Sequence, residues 1–192
     1  MIYIIMGLIA FVFFVLYDIN SIIIKHKLFK CCFFAGTLLL TTATAGIIVT
    51  SWNLHKINIV RIISFGIPAI LFFLLLIYTL FFAIPFKNTY IQASEPSKLC
   101  NNGVYALCRH PGVLWFIGFY TFLGLAFWIP LLFAAATIFS VLNIFYVMFQ
   151  DRWVFVKCFE RYDDYKSDTP FLIPNSDSLK RCLKKNCPNF LI

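Results

Sequence analysis

Five runs of this chain, residues 2–17, 31–52, 62–84, 113–128 and 131–149, contain no Asp, Glu, Lys, Arg or His. A helix crosses the roughly 30 Å hydrocarbon core of a bilayer in about 20 residues, so each run is long enough, or nearly so, to span it. Backbone amides in lipid have no water to bond, which leaves the helix as the conformation for apolar runs of this length. The rest of the chain cannot offset so much apolar surface. Of 192 residues, 61% are hydrophobic, 24 are Phe and only 12% are charged, and a soluble domain would lack the polar surface to coat them. The sequence therefore predicts an all-α polytopic membrane protein with about five transmembrane helices. The fourth and fifth runs are short and separated only by Ile129 and Pro130. They are expected to form a tight helical hairpin whose turn is fixed by the proline.

Lys and Arg orient the runs. With five spans, segments 18–30 and 85–112 and the chain after residue 149 share one side, and they carry fourteen of the sixteen Lys and Arg. Basic residues accumulate on the cytoplasmic face, so these segments are expected there and the N-terminus outside. Four or six spans would scatter the basic residues over both faces. The same placement accounts for the net charge of +8 and pI near 9.2. The basic residues sit at span ends and in the tail "LKRCLKKNC", facing lipid head groups at about 1 kcal/mol each, and no stacking platform or recognition helix suggests nucleic acid. Small size and five spans point to a bacterial cell membrane. Residues 2–17 lack a basic leader and a small-residue cleavage site, and read as a retained span. All seven cysteines, at 31, 32, 100, 108, 158, 182 and 187, fall on or beside the cytoplasmic side. They are expected reduced there, and their spacings fit no common zinc site.

Two polar segments interrupt the apolar chain and divide it into three spans (1–84), a core (85–174) and a basic tail (175–192). The first polar segment, 85–112, ends in "CRHPG" directly before the fourth run. The second, 150–174, follows the fifth run, so the hairpin brings the two side by side. Within the second, Phe155, Phe159 and Tyr162 follow the spacing of one apolar helical face, with Arg152, Glu160, Asp163 and Asp164 elsewhere. That pattern predicts an amphipathic helix from about Gln150 to Tyr165, lying on the membrane or turned toward the polar loop, and stopped by Thr169-Pro170. Arg109 alone would suit a snorkelling anchor. Arg-His-Pro together at a span mouth marks a candidate site, because ionisable groups held at membrane depth are costly.

The run Gly103-x-Tyr105-x-x-x-Arg109-His110-Pro111 resembles the signature of the integral-membrane methyltransferases typified by isoprenylcysteine carboxyl methyltransferase. Phospholipid N-methyltransferases and the C-terminal part of membrane sterol reductases are distant relatives of that group. After the hairpin the pattern continues with an acidic pair, a short amphipathic helix, two tyrosines three apart and a proline-containing exit. Here these are Gln150-Asp151, Tyr162 and Tyr165, and "TPFLIP" from Thr169 to Pro174. The chain departs from the pattern at Val113, where an aromatic residue is usual, and at Gln150-Asp151, where two glutamates are usual. The resemblance spans residues 101–174. It implies an S-adenosylmethionine site on the cytoplasmic side between the two polar segments, and a lipid-borne acceptor entering from the bilayer. It also implies Arg109, His110 and Asp151 as catalytic residues, with Tyr105, His110, Pro111, Asp151, Tyr162 and Tyr165 binding the cofactor.

Methyl transfer from a sulfonium is an in-line displacement that needs positioning and exclusion of water more than a metal or a covalent intermediate. In such a site Arg109 can clamp a carboxylate, and His110 can bond the cofactor or take a proton from a thiol or amine. Asp151 can partner Arg109 or the cofactor's polar groups. Two other classes share parts of the pattern: a nicotinamide-dependent lipid or sterol reductase, and a non-catalytic polytopic protein such as a small transporter subunit. The first three runs contain no Lys, Arg, Asp, Glu or His at their centres to serve an ion path.

Overall fold

The computed structural model describes residues 1–52, 58–82, 104–159 and 162–183, apart from the side chains of Arg181 and Leu183. Every regular element among the described residues is helical. In chain order they are α1 (Ile2–Ile19), α2 (Cys32–Ser51), α3 (Ile59–Phe81), α4 (Val104–Leu107), α5 (Pro111–Phe127), α6 (Pro130–Phe149), α7 (Phe155–Cys158), α8 (Tyr162–Asp168) and α9 (Ser176–Leu183), with π-helical turns at Asn20–Ile24 and Gln150–Val154 and a 3-10 turn at Lys27–Cys31. Four helices, those through α1, α2, α3 and α6, are long and apolar enough to cross a bilayer; α5 is a shorter apolar helix of 17 residues. This is the architecture of a multi-pass membrane protein.

Local chemistry sets the ends of these helices. Asn20 is buried and closes the reversal between α1 and α2: its Nδ2 donates to His26 O at 3.1 Å and its Oδ1 accepts from His26 N at 2.8 Å. Lys25, in the left-handed region at φ 53°, completes the turn. Asn58 caps α3 by accepting from Arg61 N at 3.1 Å, which satisfies one of the free amides of the first turn. Pro111 and Pro130 occupy the first positions of α5 and α6, where a missing N–H costs nothing. Between these helices Trp128 adopts φ 54° and donates its N–H to Gly124 O at 2.8 Å. Arg61 covers the same helix end, with Nε on Ala126 O at 3.2 Å and the guanidinium 5.6 Å from the Trp128 ring.

The interior is built from aromatic and small residues. Phe11, Ile47, Phe116, Tyr120, Leu132 and Phe139 form one buried cluster, joining α1, α2, α5 and α6. Gly7 lets α1 approach α6: a Cβ there would collide with the Phe139 ring. Close approach over small residues is how helices associate when lipid removes the hydrophobic drive. Tyr120, which turns inward with them, shares its hydroxyl with Thr44 Oγ1 at 2.8 Å. Helix α3 packs chiefly on α5 and turns Ile63, Ile67, Ile70, Leu71 and Leu74 outward, all more than half exposed. In water that face would be a liability, and in lipid it is the solvated face.

The structure corrects four boundaries. Asp18 is not in a loop but in the last turn of α1, where it is buried. Arg61 stands in the first turn of α3 rather than in the preceding loop. Segment 150–165 is not one amphipathic helix: a π turn opens it, and Phe159 is extended at φ −119°, ψ 131°. The tail is in part helical, as α9. Periodicity alone misses such breaks because Phe155, Phe159 and Tyr162 still cluster, with ring centroids 5.5–6.2 Å apart. Gly103, Cys100, Glu160, Cys187 and the rest of 83–103 and 184–192 lie outside the described residues.

Candidate functional site

The mouth of α5 is stitched to the segment after α8. Arg109 N donates to Pro170 O at 2.9 Å, which holds the Arg-His-Pro turn against Thr169–Phe171. From the other side α6 delivers Asp151 on the π turn Gln150–Val154, and α8 delivers Tyr162. The result is a buried cluster centred on one carboxylate. Asp151 Oδ2 pairs with Arg109 Nη1 at 3.2 Å. Asp151 Oδ1 accepts from Tyr162 OH at 2.7 Å and faces His110 Nε2 at 3.1 Å. Lys166 Nζ stands 3.9 Å from Oδ2. The side chains of Arg109, His110 and Asp151 are 10%, 5% and 6% exposed, so the Arg109 and Asp151 charges are balanced by each other more than by water.

Aromatic rings wall this cluster. The His110 imidazole stacks on Phe155 at 5.7 Å and 13°, and meets the Phe171 edge at 5.1 Å. The Arg109 guanidinium lies 5.5 Å from the same Phe171 ring. Among the described residues, Arg109 Nε is a buried atom with no hydrogen-bond partner. A buried N–H on a cation costs about 1–3 kcal/mol or more when unpaired, so this atom marks where a further acceptor fits.

Burial pushes the His110 pKa below its ordinary value of 6.5, outweighing the neighbouring carboxylate that would raise it. The neutral ring facing an ionised Asp151 must carry its proton on Nε2, which leaves the lone pair on Nδ1. Burial, reinforced by the Asp151 bond, raises the Tyr162 hydroxyl far above its usual range, keeping it a donor. Burial also raises the Cys108 thiol to about 11, which keeps it protonated near neutral pH.

A pH dependence follows from His110. The folded protein binds the imidazole proton less tightly than the unfolded chain does. The stabilising share is complete above 6.5 and is lost as pH falls from there toward the lower folded value, by at most about 1.4 kcal/mol per pH unit. Unfolding midpoints of detergent-purified protein between about pH 5 and 8 should show this slope, and His110→Gln should remove that component.

The structure thus brings together four of the residues expected from sequence: Arg109, His110, Asp151 and Tyr162. Pro111 is buried at the start of α5. Tyr105 and Tyr165 form a neighbouring clasp: Tyr165 OH donates to Tyr105 O at 2.7 Å, and Tyr105 OH donates to Thr79 O at 3.1 Å. Trp115 Nε1 donates to Thr79 Oγ1 at 3.0 Å, so this clasp ties α8 and α4 to α3. Sequence reasoning missed Lys166, Phe171 and Asp18. Lys166 lies one helical turn beyond Tyr162, a spacing that signals a shared face. Asp18, the one acid before Glu95, was signalled by closing an apolar run.

The fold and the cluster together define a class: a multi-pass helical membrane protein with a buried ionic cluster at a helix mouth. Compared with protein-family models, curated proteins and solved structures, the chain matches none of them.

Proposed function

We propose that this protein is a membrane-embedded S-adenosylmethionine-dependent methyltransferase acting on a lipid-borne or small hydrophobic acceptor. In this reading five helices span the bilayer, α5 and α6 forming a hairpin, with the N-terminus outside and the Arg109–Asp151 cluster at the cytoplasmic leaflet of a bacterial cell membrane. The observation that carries it is the convergence of Arg109 and His110 with Asp151 and Tyr162, about 40 to 50 residues later, in one buried cluster whose guanidinium Nε–H is unpaired among the described residues. The pairing of those two segments is what the resembled signature requires.

The residues fit such a donor. Arg109 and Lys166 supply two cations against one carboxylate, with His110 neutral, and Nε is directed to a carboxylate of the donor or the acceptor. Phe155 and Phe171 give the aromatic wall that a sulfonium favours. When bound, the donor supplies a methyl carbon already activated toward displacement. Asp151 holds Arg109, His110 and Tyr162 in place. His110, its Nε2–H committed to Asp151, receives at Nδ1 the proton of a thiol or amine acceptor. The packed rings exclude water from the cluster.

The test is thermal stabilisation of detergent-purified protein by S-adenosylhomocysteine beside NADPH. A rise in unfolding temperature with S-adenosylhomocysteine alone is expected, since a ligand bound only by the folded state stabilises it by mass action. A rise with NADPH alone would make the protein a reductase, and no rise with either would remove the enzymatic reading.

A further inference from the structure

Asp18 is 2% exposed, sits in α1, and makes no direct contact with the Arg109–Asp151 cluster among the interactions described. A buried carboxylate is expensive unless its oxygens are hydrogen-bonded, and here that need is met by a specific pair. Gln150 Nε2 donates to Asp18 Oδ2 at 2.9 Å and to Tyr146 OH at 2.9 Å, and the Tyr146 hydroxyl bonds Asp18 in turn. The three side chains close a ring in which both amide hydrogens and the phenolic hydrogen have acceptors. Removing Asp18 would leave two half-buried donors, Gln150 Nε2 and the Tyr146 hydroxyl, without that acceptor.

Gln150 is the residue directly before Asp151, and it opens the π turn Gln150–Val154. A π turn takes one residue more per turn than the α-helix and is held where a local interaction stabilises it, commonly at functional sites. It re-aims the side chains that follow. Gln150 looks across to α1, 132 positions away in sequence, and Asp151 looks to Arg109, 42 positions away. Two adjacent side chains are thus anchored to different elements, and the anchoring of the first sets where the second stands.

We propose that Asp18 is a positioning residue for the cluster: through Gln150 and Tyr146 it holds the π turn that presents Asp151 to Arg109, His110 and Tyr162. In this role the first helix is part of the site, although none of its side chains enters the cluster. The proposal concerns the placement of Asp151 itself, and rests on the methyl-donor reading only for the second of its two readouts.

The first readout is the His110 tautomer, observed by 15N NMR of histidine-labelled protein in detergent and assigned with His110→Gln. In the native protein the proton resides on Nε2, facing Asp151. Asp18→Leu should give a mixture of tautomers, and the exchange Asp18→Asn with Gln150→Glu, which restores a carboxylate–amide pair with its ends reversed, should return the native signal. The second readout is S-adenosylhomocysteine affinity, which should fall roughly tenfold or more in Asp18→Leu, since small misplacements of a positioning group cost this much, and recover in the exchange. Should Asp18→Leu fail to fold, Asp18→Asn replaces it, with the same rescue required. A native tautomer signal in the folded single variant, or no recovery in the exchange, overturns the proposal. A tautomer that follows Asp18 in a protein that never binds S-adenosylhomocysteine keeps Asp18 as a positioning residue and removes the methyl-donor reading instead.

Discussion

Asp151→Ala is expected to abolish S-adenosylhomocysteine binding and to lower stability by about 3–5 kcal/mol, the scale for removing one partner of a buried ion pair. The physical reason is that one carboxylate serves several donors. Without it Arg109 Nη1, His110 Nε2–H and Tyr162 OH all lose their acceptor, and Arg109 already has an unpaired Nε. Protein and water cannot rearrange freely around a guanidinium whose side chain is 10% exposed. The measurement is the unfolding midpoint in detergent without ligand, followed by ligand titration at a temperature where the variant is folded. Asp151→Ala combined with Arg109→Leu should be less damaging to stability than the sum of the two single changes, because it removes the stranded cation as well. Additive losses would mean that the pair is not coupled, contrary to the geometry.

The second large effect belongs to Arg109. Arg109→Leu leaves Asp151 with Tyr162, His110 and the more distant Lys166, so its cost in stability should be smaller than that of Asp151→Ala. Its cost in binding should be greater than the stability loss suggests, because an Nε–H that none of the described residues pairs goes with it. Affinity for S-adenosylhomocysteine is expected to fall about a hundredfold, the scale of one or two charge-assisted hydrogen bonds at about 1.5–3 kcal/mol each. Arg109→Lys should rescue little, since an ammonium lacks the planar fork that can hold Asp151 and a second carboxylate together. Equal affinity in the Arg109→Lys variant and the native protein would show that only charge matters at this position.

Much of the site could be read before any coordinates. Arg109-His110-Pro111 stands out because ionisable residues at the end of an apolar run need a reason, and Pro111 fixes where α5 begins. Asp151 was legible because it follows the last apolar run directly. The tyrosines came from the resemblance to the membrane methyltransferases, which does not separate Tyr162, which bonds Asp151, from Tyr165, which bonds the Tyr105 carbonyl. Those two lie on one short helix, Tyr162–Asp168, yet meet partners on different segments of the chain. Lys166 and Phe171 were less visible: the i, i+4 spacing of Lys166 from Tyr162 shows a shared face but no partner, and a phenylalanine between prolines carries no pattern of its own.

The sequence by itself determined the solvent, the helical class and the polar segments that matter, because these depend on hydropathy, length and proline, all local quantities. The tertiary structure alone decided that Asp18 is buried and bonded to Gln150, that a π turn divides the roles of Gln150 and Asp151, and that Arg109 keeps one unpaired N–H. The contacts of Gln150 with Asp18 and of Asp151 with Arg109 join parts of the chain 132 and 42 positions apart, and no property of a local stretch encodes which distant donor will meet which acceptor.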